Sequence, residues 1–217
     1  MGFWRAVGRG PWADAMTWTA NPRVERILSS YPDRRSAVMP LLYMAMAEYG
    51  YLTDEAIREV ASLVGMTSVQ VSSVATFYTM YKREEVGKYL LSVCTSISCS
   101  LLGGKDVLHA VEDETGVPAG ETGIGGDFSV EHVECIGACG GAPAVQVNYE
   151  LIEGLGVNKA RDLVRWLRDA APEMVRGDEM QALFGGQQSF DWGPPEAAGA
   201  GGPVPTLDLI GTIGESE

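Results

Sequence analysis

Positive charge is what this 217-residue chain has least of: 16 Lys and Arg stand against 29 Asp and Glu, a formal net charge of −13. A surface of that sign repels polyanions, which argues against general binding to nucleic acid or to an anionic bilayer. No apolar run reaches the roughly 18 residues that a membrane-spanning helix needs, so none is expected. The first twenty residues hold Arg5, Arg9, Trp4, Trp12 and Trp18 but no continuous apolar stretch, so no secretory signal is expected. Ala6 stands where a myristoylation motif needs Ser or Thr, and no terminal prenylation cysteine is present. The expected setting is therefore cytosolic and reducing, which removes disulfides as the reason for four cysteines. Histidine is limited to His109 and His132, and there is no C-x-x-C. Neither G-x-G-x-x-G after a strand nor a P-loop occurs, so the chain is expected to bind no dinucleotide or nucleoside triphosphate by itself.

What remains is an ordinary globular composition, 46% hydrophobic and 21% charged, long enough for two small domains with real cores. Charge is spread unevenly: the net is +1 over 1–21, −1 over 22–86, −6 over 87–170 and −7 over 171–217. With the composition shifts, this suggests an N-terminal extension (1–21), a helical domain (22–86), an α/β domain (87–171) and an acidic Gly/Pro-rich tail (172–217). The tail is expected to be largely irregular, with Phe184, Phe190 and Trp192 as isolated apolar anchors.

In the helical part, Val38, Leu41, Leu42, Ala45, Met46 and Tyr49 make one apolar face of a helix that begins or kinks near Pro40 and stops around Gly50. Ile57, Val60, Ala61 and Val64 mark a second helix, entered through Thr53 and capped by Gly65. Thr67 and Gln70 form a capping-box pattern opening a third, with Val71, Val74, Ala75 and Tyr78 on its face. From Lys88 the period changes. Tyr89 to Val93 reads as a buried strand ending at Cys94, followed by a helix carrying Val107, Leu108 and Val111 and capped by Gly116. Further strands are expected at 128–133, 144–147 and 151–152, with a turn near Asn148, then a last helix N-capped by Asn158. This alternation is a small α/β layer fold.

All four cysteines fall in two pairs, Cys94-x4-Cys99 and Cys135-x3-Cys139, each just after an expected strand and among small residues. If the two strands are neighbours, the loops converge at one sheet edge. Structural zinc usually uses closer C-x2-C knuckles, though wider gaps occur. A dithiol oxidoreductase would have C-x-x-C, and four unrelated buried thiols would not pair this way. An iron–sulfur cluster fits best. The plant-type ferredoxin spacing fails because position 102 is Leu, and a Rieske centre would have to recruit both His132 and the distant His109.

Cys94-x4-Cys99 and Cys135-Ile-Gly-Ala-Cys139-Gly-Gly-Ala-Pro143, preceded by Val74-Ala75-Thr76-Phe77-Tyr78, resemble the E-type subunits of NADH-quinone oxidoreductase, the family of thioredoxin-like [2Fe-2S] subunits of respiratory complex I. The resemblance runs from about Asn21 to Ala170. It implies an α+β architecture in which an N-terminal helical bundle precedes a thioredoxin-like [2Fe-2S] ferredoxin domain and an irregular tail. It also implies Cys94, Cys99, Cys135 and Cys139 as ligands of a [2Fe-2S] cluster, and FMN and NADH bound by a flavoprotein partner rather than by this chain. The chain would exchange single electrons with that flavin, peripherally on the cytoplasmic side of the inner membrane, without catalysis of its own. The same module could serve an NAD-linked hydrogenase or formate dehydrogenase. A DNA-binding regulator is a remote alternative, because helix, Gly65-Met66 turn and helix imitate a helix-turn-helix, but no Lys or Arg lies between Met66 and Tyr81.

Overall fold

The computed structural model describes residues 18–190, 193 and 199–203. Most of the N-terminal extension, the anchor Trp192 and the chain after 203 lie outside the described residues. The chain divides into two compact units between Glu85 and Val86.

Among the described residues, four α-helices and two short 3-10 helices build the first unit. Helix α1 (Pro22–Ser29) was not expected from the sequence, yet its start is well marked: Asn21 Oδ1 accepts from Arg23 N at 3.0 Å and proline occupies the first helical position. Helix α2 (Val38–Tyr49) begins two residues before Pro40, which sits harmlessly in the first turn, and stops at Gly50 in the left-handed region (φ 83°). Helix α3 (Asp54–Val64) is capped by Thr53, whose hydroxyl accepts from Ala56 N, and ends at Gly65 (φ 67°). Helix α4 (Ser68–Phe77) opens on the reciprocal Thr67–Gln70 capping box. Leu41, Leu42, Met44 and Met46 are fully buried among these helices. By contrast Val69 and Phe77 on α4 are nearly four-fifths exposed, so only part of that helix finds a partner within the unit. No single helix among the described residues is long and apolar enough to cross a membrane.

The second unit is layered on a five-stranded sheet of order β2-β3-β1-β4-β5. Its strands are β1 (Tyr89–Cys94), β2 (Glu121–Thr122), β3 (Phe128–Val133), β4 (Val145–Val147) and β5 (Glu150–Ile152). The central β1 runs parallel to β3, with Cys94 opposite Val133, and antiparallel to β4. A two-residue turn joins β4 to β5. Asn148 and Tyr149 both take positive φ (51° and 72°), as the twist-matched hairpin turn requires. The buried Asn148 side chain accepts from Leu90 N and donates to Lys88 O, which ties this turn to β1.

Between β1 and β3 lie the short helix α5 (Ile97–Leu101) and the longer α6 (Gly104–Thr115), which ends at Gly116 (φ 73°). Helix α7 (Val157–Ala170) pairs with α6. Val107, Val111, Leu163, Val164 and Leu167 share one core with Leu91, Val93, Val145 and Val147. Burial of side chains this size contributes roughly 1.5–3 kcal/mol each against exposure, so this layer holds the unit together.

Two expectations change. Helix α7 is entered from Gly156, not capped by Asn158, and the Gly156 cap has no side-chain hydrogen bond. Leu155, fully buried and bonded through its N–H to Pro143 O, sets the helix start two residues earlier than the polar signal implied. The irregular tail also starts later than Pro172. Gly177–Phe184 is a helix, α8, with Met180 and Phe184 in the core and Val175 bridged to Ala200. Of the three expected anchors, Phe184 is buried and Phe190 is about two-thirds exposed.

Candidate metal centre

The parallel pairing of β1 with β3 decides where the cysteines meet. Both strands leave the sheet at the same end, so the loops that follow Cys94 and Val133 are neighbours. Cys94 is the last residue of β1 and its N–H donates to Ala144 O at 3.1 Å. Cys99 lies on α5, buried like Cys94. Cys135 and Cys139, both exposed, follow β3, with Cys139 opening a short 3-10 turn through Gly141. Buried Ala138 and Ala144 complete a small apolar floor with Cys94 and Cys99, flanked by Val133, Ile136, Ala142 and Leu151.

The four thiols form two pairs. Cys135 Sγ and Cys139 Sγ are 3.6 Å apart. Cys94 lies close enough to Cys99 to push its thiol up, and the two pairs are close enough that Cys139 feels Cys94 and Cys99 feels Cys139. Burial pushes the Cys99 thiol up to about 11, with Cys94 acting in the same direction and a hydrogen bond from Ala144 N–H opposing it. Cys139 is raised chiefly by its hydrogen bond to Cys135, while the Ser98 hydroxyl pulls it the other way. Sequence reasoning did not single out Ser98 or Ala144 beside the thiols; the only signal was that small residues surround both cysteine pairs.

His109 and His132 are not among the thiols' partners: the buried floor and the sulfur contacts are made by Cys, Ala and Ser alone. Among the described residues no group of three or more His, Cys, Asp or Glu is drawn together around one ion. Two pairs of thiols suit a binuclear centre, because each iron of a [2Fe-2S] cluster takes two cysteines.

A family model described as thioredoxin-like [2Fe-2S] ferredoxin matches residues 24–168. The chain belongs to that family. Among its relatives is the E-type subunit of NADH-quinone oxidoreductase from Mycobacterium tuberculosis, 40% identical over 192 residues, covering 84% of this chain and 74% of that protein. A Rhizobium meliloti E-type subunit of NADH-quinone oxidoreductase, the one numbered 2, is 37% identical over 169 residues, 78% of this chain and 99% of that protein. The NADH-quinone oxidoreductase subunit 2 of Thermus thermophilus is 42% identical over 129 residues, 58% of this chain and 71% of that protein. A solved NAD+-reducing [NiFe]-hydrogenase matches with a TM-score of 0.54 at 16% identity, over 61% of this chain and 22% of the hydrogenase chain. That likeness bears on the fold alone.

A [2Fe-2S] cluster is the cofactor of the thioredoxin-like [2Fe-2S] ferredoxins, and the donor set here fits it. Four thiols stand in two pairs, with Cys94 and Cys99 set in an apolar floor beside Ala138 and Ala144.

Proposed function

We propose that this chain is the [2Fe-2S] electron-transfer subunit of a respiratory NADH:quinone oxidoreductase, with Cys94, Cys99, Cys135 and Cys139 as its cluster ligands. The observation that carries the reading is the convergence of both cysteine pairs at one end of the parallel β1–β3 pair. When bound, such a cluster supplies reversible one-electron transfer. The chain's own part is to fix the thiolates and to floor the site with Ala138 and Ala144.

The hydride chemistry belongs to a partner, because no nucleotide-binding motif occurs in this sequence. That partner is an NADH- and FMN-binding flavoprotein. The face it covers lies beside the ligands: Ile97, Leu101 and Leu102 are 79%, 81% and 61% exposed, flanking Cys99 on α5. Exposed apolar side chains on either side of Cys99 suit a surface that must be dried for electron transfer. Changing Ile97 and Leu101 together to Ser is expected to weaken the flavoprotein complex by about 2 kcal/mol, roughly thirty-fold in Kd. Titration calorimetry would measure this while iron content stays at the wild-type level. Unchanged affinity would move the docking face elsewhere.

In this reading the assembly lies peripherally at the cytoplasmic side of a bacterial inner membrane. The helix-turn-helix alternative fares poorly beside the geometry. The chain does bend by 114° between α3 and α4, but the would-be recognition helix exposes Val69 and Phe77 where phosphate contacts would need Lys or Arg. Identifying the electron acceptor of the native complex tests the proposal: NADH-dependent quinone reduction supports it, and hydrogen or formate turnover instead would overturn it.

Charge sets a further expectation. The stretch 87–170 carries a net −6, which opposes the added negative charge of the reduced state, although solvent screens the more distant carboxylates. A low potential is expected. Reductive titration that placed this centre above the others of the complex would refute it.

A further inference from the structure

The family match stops at residue 168, yet the chain beyond it returns to the ligand loops. Helix α8 is anchored by Met180 and Phe184, and from its end residues 185–189 run across the segment that follows β5. The crossing is clamped at Glu153. The Gln181 side chain accepts from Glu153 N at 2.8 Å and donates to Glu153 O and Gly186 O, both at 3.2 Å. Gly186 N donates to Glu153 O at 2.8 Å, and Ser189 N to the buried Glu153 carboxylate at 3.0 Å. The same segment is bonded on its other side to the ligand loop, through Gly154 N to Gly141 O and Leu155 N to Pro143 O.

Contact is tight enough to leave no room for side chains. A Cβ at Gly154 would stand 2.6 Å from Gln187 N, one at Gly141 would stand 2.7 Å from Gln187 O, and one at Gly140 would stand 3.0 Å from Ser189 Oγ. Gly140 and Gly141 are the two residues after Cys139. Ser189 Oγ has a second property. It is the one buried side-chain oxygen or nitrogen among the described residues that finds no hydrogen-bond partner. A buried hydroxyl is costly to leave unpaired, so its position against Gly140, the residue after Cys139, points to a partner supplied when the site is filled.

We propose that residues 185–189 are a positioning strap for the Cys139 turn, locked by Gln181 and Glu153, with the Ser189 hydroxyl serving as a hydrogen-bond donor to sulfur at the cluster site. The proposal rests on Cys139 being a cluster ligand. It makes the strap part of the metal centre, where it immobilises the more exposed cysteine pair and biases the potential. A donor to sulfur favours the more negative, reduced state, so removing it lowers the potential.

Two variants of the full chain test this: Ser189→Ala, which removes only the hydroxyl, and Gln181→Met, which keeps the bulk of the clamp but not its hydrogen bonds. Leu183→Ala, on the exposed side of α8, is the control. The measurements are iron and sulfide content, paramagnetic resonance of the reduced protein, midpoint potential, iron release to a chelator and the thermal unfolding midpoint. Ser189→Ala is expected to lower the potential and shift the resonance while unfolding is unchanged. Gln181→Met is expected to release iron about ten-fold faster, in line with the loss of an outer-shell support. Leu183→Ala should match the wild type in all of these. Wild-type potential, spectrum and release rate in both variants would overturn the strap. A wild-type chain without iron and sulfide would overturn the ligand reading beneath it, which is a distinguishable result.

Discussion

Cys135→Ser is expected to cost this protein its cluster while leaving its fold intact. Cys135 is exposed and lies in a loop, so an isosteric change there should alter stability by no more than about 0.5 kcal/mol. Its chemical role is not small. Cys135 Sγ stands 3.6 Å from Cys139 Sγ, and a hydroxyl replaces a thiolate poorly as a soft ligand to iron. Even outer-shell partners are worth about 10- to 100-fold in metal affinity, so loss of a ligand should lower bound iron and labile sulfide by at least about ten-fold. Both would be assayed beside the resonance signal of the reduced protein and its circular dichroism. Retention of an unaltered cluster would remove Cys135 from the ligand set, and zinc in place of iron in the wild type would replace the cofactor itself.

The site was readable from sequence to the extent that local signals coincide with tertiary ones. Each cysteine pair follows a β-branched or apolar run, and the runs became β1 and β3, paired in parallel with Cys94 beside Val133. Caps were legible for the same reason: Thr67 with Gln70, Gly65 and Gly116 act through bonds to residues within one turn. Features that depend on distant partners were not. Helix α8 has a short apolar stripe in a Gly-, Pro- and acid-rich stretch, and it forms because Met180 and Phe184 find the core between α7 and β5. The two-residue β2 is too short for any periodicity, and it exists because β3 offers a free edge. Asn158 carries a good capping side chain but lies too late, since buried Leu155 fixes where α7 starts. The overall charge told more once divided. The nearly neutral helical part is where α4 leaves Val69 and Phe77 in the open, and the acidic part is where the thiols are.

A second large effect is expected at a residue with no functional group. Gly104 opens α6, and its Cα faces the backbone that carries the first cysteine pair. A Cβ there would stand 2.8 Å from both Cys94 O and Cys99 O and 2.9 Å from Cys99 C. Those are main-chain atoms, which cannot swing aside as the end of a flexible side chain would. Something larger must move. Helix α6 is pinned by Val107, Ala110 and Val111, all at or below 1% exposure, so its displacement would open the central core. Helix α5 is five residues long, and its Ile97 and Leu101 are exposed, so it offers the lesser resistance. Gly104→Ala should therefore push Cys99 away from Cys94. The expected cost is ~2 kcal/mol of overpacking strain in thermal unfolding, together with loss of most of the bound iron. Gly103→Ala separates the two causes. Gly103 has φ 94°, which an alanine tolerates badly, but the nearest atom to its Cβ would be the Asp106 carboxylate at 3.9 Å. It should lose about 1–2 kcal/mol to backbone strain and keep its iron. If Gly104→Ala loaded and melted like the wild type, the close approach of α6 to the cysteine carbonyls would not be what sets the spacing of the first pair.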